Sequence, residues 1–422
     1  MSAPGLTPTT YCTWRALLPA DRDYVVLPSR SHPVLAADRD AAVLEYVRRS
    51  LLAQPPGTRL PGWAYESARQ VLRSGLAWRV APRWQPSTEQ RSAHEARFAE
   101  WVRESGHRVA VIDHSHDPDA RAVLLLFASG AAVPSIAVKV ATTDAAVARI
   151  AGERSRLEQL AQAPLQAVRD SVPQLAQLPV AAGDALLATT AVDGEPMFVA
   201  YYRNGHSRNV HAVRRDFRTA GEWLALLQAE PTGAPAPLGV SAGTRAGARE
   251  QLGSAGDECD RVLGGLAALD RRLAAHQTPR RVVHGDFWPG NVIVRDGEVC
   301  GVIDWERWEP AGDPVRDLGR FAVAYSLYLD RQTRTGARVR GHAGLVAGSP
   351  TGGVGYALDG SGWYPSTVRN FVTAGLSRLG LPAALGRDVV LAELAALAAE
   401  STNPDFARKL WRTFGALSEH TR

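Results

Sequence analysis

Cysteine and lysine are scarce in this chain of 422 residues, and long hydrophobic runs are missing. The three cysteines, Cys12, Cys259 and Cys300, are widely spaced and form no CxxC pair. This pattern argues against a disulfide framework or a zinc site and is typical of a reducing compartment. No apolar run approaches the roughly 20 residues that span a bilayer, and the N-terminus lacks the basic and apolar segments of a signal peptide. We therefore expect a cytoplasmic protein with no membrane partner.

The shortage of lysine draws attention to one strand. Of the 48 basic residues, only Lys139 and Lys409 are lysines, and all the others are arginines. Lys139 lies inside the apolar run "SIAVKVA". A lysine there, in a chain that uses arginine almost everywhere else, supplies a compact ammonium in place of a planar guanidinium. The pattern indicates a site that needs an ammonium group, the alternative being a strand-edge side chain that extends to solvent.

The charge balance is mildly basic, with a net charge of +5 and a pI near 9.3. Basic stretches such as "YVRRS" and "PRRVV" are short and contain no interleaved aromatic residues. They indicate solvated helix faces rather than a nucleic-acid interface. The length exceeds that of a single typical core, so we expect two or three packed subdomains.

Residues 1–105 have the pattern of an α/β extension. "DYVVLPS" predicts a strand, and "DRDAAVLEYVRRSLLA" and "GWAYESARQVLRSG" predict helices. Another helix is predicted after Ser87 and Gln90, which stand at capping-box spacing, and it ends at Gly106. Nothing here has catalytic spacing, so we interpret this region as a scaffold or a cover for the substrate.

The remainder predicts a small α+β lobe at 106–192 and a larger, mainly helical lobe at 193–422. Strand patterns in "HRVAVID", "RAVLLLFA" and "PSIAVKVA" are followed by the helix "DAAVARIAGERSRLEQLAQA" and the strand "ALLATTAV". Helical patterns dominate after residue 205. The segment 341–362 interrupts them with eight glycines, which predicts either disorder or a mobile lid.

One hairpin carries polar residues at its entrance and exit, in "HGDFWPGNVIVRDGEVCGVIDWE" (284–306). Phosphoryl transfer needs a carboxylate at the acceptor hydroxyl, oxygen ligands for Mg²⁺ and a cation on the nucleotide phosphates. With the turn at "RDGE", Asn291 and Asp304 fall on neighbouring strands near one end, where they can share a metal behind Asp286. The alternative is that all three residues cap turns and strand ends, as Asp and Asn often do.

The segments "HGDFWPGNVIV", "GVIDWE" and "GDPVRDLGRF" together resemble the signature of the aminoglycoside phosphotransferase and choline kinase-like family. The resemblance implies the two-lobed protein-kinase-like fold, ATP as the nucleotide with GTP as the alternative, and Mg²⁺. It makes Asp286 the catalytic base, Asn291 and Asp304 the ligands of Mg²⁺, and Asp317 the residue that braces the catalytic loop. His284 would hold the backbone of that loop.

The same resemblance assigns residues of the small lobe. Lys139 would pair with the nucleotide phosphates, and Glu153 in the following helix would be its ion-pair partner, with Glu158 as the alternative. Ala191 lies in the hinge segment "ATTAVDG", where backbone groups would hold adenine. The connector "DHSHDPDA" has no glycine-rich loop, which leaves Ser115 or backbone amides to contact phosphate.

Trp288 departs from the family pattern, since many members have a histidine or another polar residue there. Its indole would pack under the loop or shape the acceptor pocket. The region after residue 320 is richer in arginine than in acids, whereas an acidic pocket is the usual means of attracting a polycation. A neutral or anionic acceptor is therefore at least as consistent with the sequence as an aminoglycoside.

The sequence thus predicts Mg²⁺-dependent transfer of the γ-phosphate of ATP or GTP to a hydroxyl of a small molecule, such as a sugar, an aminoglycoside-like compound or another natural product. A Ser/Thr kinase acting on a peptide in natural-product biosynthesis and a non-catalytic pseudokinase scaffold stay open as alternatives. A metal-dependent phosphoesterase would have no use for Lys139 and Glu153. The oligomeric state is not specified by the sequence.

Overall fold

The structure is a computed structural model that describes residues 12–419 except 32, 53–61, 75, 77–81, 87–90, 114–120, 164, 179–183, 204 and 254–255. The chain divides into two compact units. The first comprises residues 1–52, 60–163 and 170–195, and the second comprises 53–59, 164–169 and 196–422. The first unit is rich in strands and the second is mainly helical. This α+β organisation is the one that the sequence predicts.

The first unit is built on an antiparallel sheet with strand order β3-β1-β2-β4-β5-β6-β7. Its strands are β1 Tyr24–Pro28, β2 Pro33–Asp38, β3 Arg83–Trp84, β4 Arg108–Ile112, β5 Arg121–Phe127, β6 Ile136–Ala141 and β7 Leu186–Thr190. Successive side chains of a strand point to opposite faces. In β4, Val109 and Val111 therefore join one buried cluster and Ala110 joins another. Both faces of the sheet are covered.

The α-helices described beside this sheet are α1 Ala41–Tyr46, α2 Gly62–Arg73, α3 Ala93–Glu104 and α4 Asp144–Gln162. Helix α3 begins one turn later than the sequence pattern predicts. Its capping box consists of Ser92, which accepts from the Glu95 amide, and Glu95, which accepts from the Ser92 amide. Ser87 and Gln90 lie outside the described residues. Ser92 provides the better cap because an acid stands at its N3 position and the buried face starts directly afterwards.

The sheet runs across the predicted boundary between residues 105 and 106. Strand β2 pairs with β4 in the register Leu35 to Ile112, Ala36 to Val111 and Ala37 to Ala110. Strands of the extension and of the small lobe therefore share one set of hydrogen bonds. The division into domains at 1–105, 106–192 and 193–422 stays a prediction.

Most of the second unit consists of residues 196–422. Its main helices are α5 Met197–Tyr201, α6 Val210–Leu227, α7 Ala242–Leu252, α8 Asp257–Ala274, α9 Val315–Leu327, α10 Gly352–Asp359, α11 Trp363–Arg378, α12 Gly386–Glu400 and α13 Pro404–Glu419. Short strands lie between them, namely β8 Pro235–Pro237, β9 Gln277–Pro279, β10 Arg281–Val283, β11 Val292–Arg295, β12 Glu298–Val302 and β13 Glu309–Gly312. Helix α9 is buried on every side, as expected for a central helix.

The glycine-rich segment 341–362 is ordered in this structure. It contains the whole of helix α10, and Leu345, Ala347 and Val354 are buried. The disordered alternative is therefore wrong. Apolar residues spaced between the glycines supply enough buried surface to fix the segment.

Two further observations bear on the composition. Cys12, Cys259 and Cys300 form no disulfide bonds. Within the described part of the chain, no helix combines the length and the apolar character that crossing a membrane requires.

Candidate active site

The loop that follows β10 is held by a buried carboxylate of helix α9. Asp317 accepts hydrogen bonds from the backbone amides of His284 at 2.8 Å and Gly285 at 2.9 Å. Burial raises the pKa of Asp317, while His284 and the two backbone amides lower it. The bracing contact that the family resemblance implies for Asp317 is therefore present in the structure.

His284 fixes the same loop from its other side. The Asp286 amide donates to Nδ1 of His284 at 3.2 Å, and Nε2 lies 3.0 Å from the carbonyl oxygen of Ile303. An amide can only donate, so Nδ1 is the acceptor and Nε2 carries the proton that the carbonyl accepts. The ring packs at a tilt of 60° against the buried Trp305, with centroids 4.5 Å apart. The imidazole therefore joins the loop to the end of β12.

Gly285 permits the close approach of this loop to the next segment. Its φ of +80° lies in the left-handed region, and a Cβ at this position would lie 2.2 Å from the carbonyl oxygen of Arg307. Only glycine fits such a conformation and such a contact without strain. The local structure therefore requires glycine at position 285, because the backbone leaves no room for a side chain.

Asn291 directs its amide group towards Asp286. Nδ2 of Asn291 donates to the backbone carbonyl of Asp286 at 3.0 Å and to its Oδ2 at 3.2 Å. Because the NH₂ group is used in this way, the atom of Asn291 that suits a metal is Oδ1. The arrangement fixes both side chains relative to each other.

Asp304 lies at the end of the paired strand, as the hairpin pattern predicts. Strands β11 and β12 pair from Val292 to Val302, and the Ile303 amide donates to the carbonyl of Asn291 at 2.9 Å. Asp304 has a φ of +68°, which is uncommon for a residue other than glycine. Backbone strain of this kind concentrates at functional sites. The structure thus brings Asp286, Asn291 and Asp304 to one end of the hairpin.

The electrostatics of Asp286 are dominated by burial, although a quarter of its side chain remains exposed. Burial raises the pKa of the Asp286 carboxyl, the Arg320 guanidinium lowers it, and the Asp304 carboxylate raises it again. The Asp286 carboxylate therefore has both an acidic and a basic neighbour. Such opposing influences are common at catalytic carboxylates.

Arg320 is a part of the site to which the sequence analysis gave no role. Its side chain is 2% exposed, and Nε lies 3.9 Å from Oδ1 of Asp286 and 3.4 Å from Oε2 of Glu393. Nη2 donates to Glu400, which also pairs with Arg307. Helix α12 thereby contacts the same arginine as the loop residue Asp286. The sequence feature that could have indicated this role is the single arginine inside the apolar stretch "LGRFAVAYSL".

The first unit contains the predicted ammonium–carboxylate pair. Nζ of Lys139 in β6 lies 2.5 Å from Oε1 of Glu153 in α4, and Nη1 of Arg121 lies 3.2 Å from Oε2 of Glu153. Glu153 is buried, whereas Glu158 is exposed on another face of the helix. The alternative assignment of Glu158 is therefore wrong, because the helical period turns it away from the sheet.

Two other small-lobe predictions have different outcomes. Ser115 lies outside the described residues. The backbone amide of Ala191 donates to the carbonyl of Ser135 at 3.0 Å, so this amide is already used within the first unit and only the carbonyl is a candidate for an adenine contact. The role of Ala191 stays a prediction.

Trp288 packs against Phe198 and also lies against the loop at Gly290. Its ring meets Phe198 edge to face with centroids 5.2 Å apart. A Cβ at Gly290 would lie 2.3 Å from the indole, so the absence of a side chain at Gly290 lets the ring lie against the loop. Trp288 remains partly exposed.

A buried brace, a carboxylate that is one quarter exposed and two further oxygen-bearing side chains at one hairpin end match the arrangement that phosphoryl transfer requires. The chain belongs to the phosphotransferase enzyme family, whose model matches residues 114–349, more than half of its length. It is a phosphotransferase of the kinase type that acts on hydroxyl groups. No curated protein matches the sequence.

Several solved structures are similar to the chain. One is aminoglycoside phosphotransferase APH(3'')-Id from Streptomyces rimosus in complex with ADP and streptomycin, with 20% identity, 65% of this chain and 88% of that chain covered, and a TM-score of 0.40. A thermostable mutant of aminoglycoside phosphotransferase APH(4)-Ia has 14% identity, coverages of 76% and 98%, and a TM-score of 0.44. A putative fructosamine-3-kinase from Thermobifida fusca has 18% identity, coverages of 76% and 98%, and a TM-score of 0.43.

Proposed function

We propose that the protein transfers the γ-phosphate of ATP, with GTP as the alternative donor, to a hydroxyl group of a small molecule. The observation that carries this proposal is the grouping of Asp286, Asn291 and Asp304 at one end of the β11–β12 hairpin. Asp286 would accept a hydrogen bond from the acceptor hydroxyl, orient it and take its proton as the oxygen attacks. Lys139, held by Glu153, would pair with a nucleotide phosphate.

The donor atoms of the hairpin suit Mg²⁺. Asn291 uses its NH₂ group on Asp286, which leaves an amide oxygen, and Asp304 adds a carboxylate at a strained backbone position. One amide oxygen and one carboxylate are a typical protein contribution to a magnesium site, whose other ligands are waters and phosphate oxygens. When bound, Mg²⁺ would offset the charge of the phosphate groups.

The decisive experiment incubates the full chain with Mg²⁺, ATP and a panel of hydroxyl-bearing acceptors and detects a mass gain of one phosphate. Asp286→Ala should lower kcat by about 10²–10⁴, the range for removal of a general base, while the dissociation constant for ATP stays within about threefold. Asp304→Asn serves as the blank for ATP consumption.

The matched control is Asp296→Asn, at the tip of the same hairpin. Asp296 is exposed and has a φ of +54°, a conformation that asparagine tolerates well, so this variant should retain wild-type kcat. An Asp286→Ala enzyme with undiminished turnover would sink the mechanism. ATP binding without transfer to any acceptor would favour the pseudokinase scaffold instead.

A further inference from the structure

Three partly exposed aromatic side chains lie at the loop that carries Asp286 in the second unit, where the Phe198 amide donates to the Pro289 carbonyl at 2.9 Å. Phe198 of helix α5 contacts Trp288 at 5.2 Å and Tyr328 at 4.9 Å between ring centroids, both edge to face. Trp288 follows Asp286 by two positions, and all three rings are partly exposed to solvent. We call Phe198, Trp288 and Tyr328 the aromatic platform.

The platform is electrostatically connected to Asp286. Burial raises the pKa of the Tyr328 hydroxyl, the Arg331 guanidinium lowers it, and the Asp286 carboxylate raises it. Both charged groups therefore lie within electrostatic reach of Tyr328. Because the platform and the proposed base are neighbours, a molecule stacked on these rings can present a hydroxyl to Asp286.

Arg331 determines which charge the platform tolerates. Its guanidinium carbon lies 4.3 Å from the centroid of the Tyr328 ring, within cation–π range. One aromatic face is thus occupied by a cation of the protein itself, so a second cation meets repulsion there. The nearby acids are already engaged, because Asp286, Glu393 and Glu400 pair with Arg320 and Asp330 accepts from the Gly348 amide.

A buried polar atom beside the platform is also unsatisfied. Tyr202 contacts Phe198 edge to face at 4.8 Å and is 7% exposed. Its hydroxyl makes no hydrogen bond with any residue that the structure describes. Buried hydroxyls normally have a partner, so the Tyr202 hydroxyl is an exception beside the platform.

We propose that Phe198, Trp288 and Tyr328 form the acceptor platform of this phosphotransferase, and that its acceptor is a hydroxyl-bearing molecule with a flat or apolar ring face and no net positive charge. The inference rests on the proposed role of Asp286, since that role makes the platform an acceptor site. On this inference, Arg331 at the Tyr328 ring makes the site unsuited to a polycationic acceptor.

The test compares three probes that differ in the relevant property. Para-nitrophenyl β-glucoside and methyl β-glucoside offer the same sugar hydroxyls, but only the first has an aromatic ring, and kanamycin is a polycation. Binding is measured by ligand-observed NMR, and transfer by mass gain of one phosphate. The aromatic ring adds both buried apolar area and ring stacking, so the aryl glucoside should bind roughly 10-fold more tightly than the methyl glucoside, with kanamycin weakest.

Variants locate the effect on the platform. Trp288→Ala should reduce the aryl preference to about twofold, and Phe198→Leu, which keeps an apolar side chain of similar size, provides the same test if Trp288→Ala does not fold. Arg331→Gln should improve kanamycin binding relative to the aryl glucoside. The control Trp101→Ala removes a partly exposed indole of helix α3 in the first unit and should leave the aryl preference intact.

Each outcome separates the inference from the proposed function. Tighter binding of kanamycin than of the aryl glucoside, or an aryl preference that survives both Trp288→Ala and Phe198→Leu, overturns the platform even if phosphate is transferred. No measurable aryl glucoside binding also overturns it. Aryl binding that depends on Trp288, without phosphate transfer to any probe, supports the platform as a binding site and counts against the proposed transferase reaction.

Discussion

Arg320 links three acidic side chains around the loop of the candidate site. Desolvation lowers the pKa of its guanidinium, but Glu400, Glu393 and Asp286 raise it, and the net direction is upwards. A charge that is 2% exposed is tolerated only because these carboxylates surround it. Removing it takes away the basic partner of Asp286 and leaves Glu393 and Glu400 with only Arg316 and Arg307, respectively.

Arg320→Gln should therefore lower the free energy of unfolding by about 3–5 kcal/mol, the usual cost of breaking a buried ion pair from one side. The control is Arg218→Gln, because the half-exposed Arg218 guanidinium pairs with Glu222 and Glu298 at the surface and its loss should cost far less. Urea unfolding of both variants makes the measurement. Equal losses would show that the Arg320 network contributes no more than a surface pair.

The backbone at Gly285 provides another test at this scale. Gly285→Ala introduces a Cβ 2.2 Å from the Arg307 carbonyl oxygen at a φ of +80°, whereas Gly130 has a φ of +76° and nothing within 4 Å of the added atom. Gly130→Ala should cost about 1–2 kcal/mol from the left-handed conformation alone. Gly285→Ala should cost more and also lower kcat, because the segment must shift.

The comparison isolates the steric contact from the backbone conformation. Thermal unfolding and steady-state kinetics of the two variants give the answer. If Gly285→Ala were as stable and as active as Gly130→Ala, the close approach to Arg307 would have no importance for the loop.

At the scale of elements, a buried carboxylate joins β2 to β4. Asp38 accepts from the Val109 amide at 2.6 Å. The net pKa of Asp38 is raised to about 6. Burial is the main cause. The Val109 hydrogen bond and Arg22 lower the pKa, Asp40 raises it and Arg108 lowers it. The folded pKa lies above the unfolded value of 3.8, so the folded state holds its proton more tightly.

This sign makes the contribution of Asp38 to stability largest at acidic pH. It is fully present below about pH 4 and is lost as the pH rises through about 6. Asp38→Asn removes the titration. The free energy of unfolding of the variant, taken relative to that of wild type, should therefore rise by on the order of 3 kcal/mol between pH 4 and pH 7, at about 1.4 kcal/mol per pKa unit. A difference between the two proteins that is independent of pH would contradict this prediction.

At the scale of the whole molecule, the extension contributes strands to the sheet that carries Lys139. Tyr24 and Val26 of β1, Phe98 of α3 and Val109 and Val111 of β4 belong to one buried cluster. A chain that begins at residue 106 would expose this cluster and leave β4 as an unpaired edge, which favours aggregation.

We expect that shortened chain to be insoluble or to lose cooperative unfolding of its first unit. The control is a chain that begins at residue 12, which keeps every described element and should fold as the full chain does. Soluble yield and hydrogen exchange of strands β4–β6 are the measurements. A soluble, cooperatively folding chain from residue 106 would establish the extension as a dispensable addition.

Local patterns were sufficient for many of the elements. The alternation of apolar residues predicts strands β4 to β6, and the period of 3.6 predicts α4, whereas the choice of Glu153 within it came from the family resemblance. The hairpin at 284–306 follows from its turn residues, so the neighbouring positions of Asn291 and Asp304 were predictable as well. The start of α3 was not, because two capping patterns compete within six residues and only packing selects between them.

The sequence by itself determined the reaction class, because the residues that carry it lie in short, ordered motifs whose spacing fixes their local geometry. Only the tertiary structure decided which residues surround that chemistry. Arg320, Glu393 and Glu400 meet across two helices, and Phe198, Trp288 and Tyr328 come from three separate segments. Contacts between segments far apart in sequence depend on how whole helices and loops pack, and no local period or spacing encodes them.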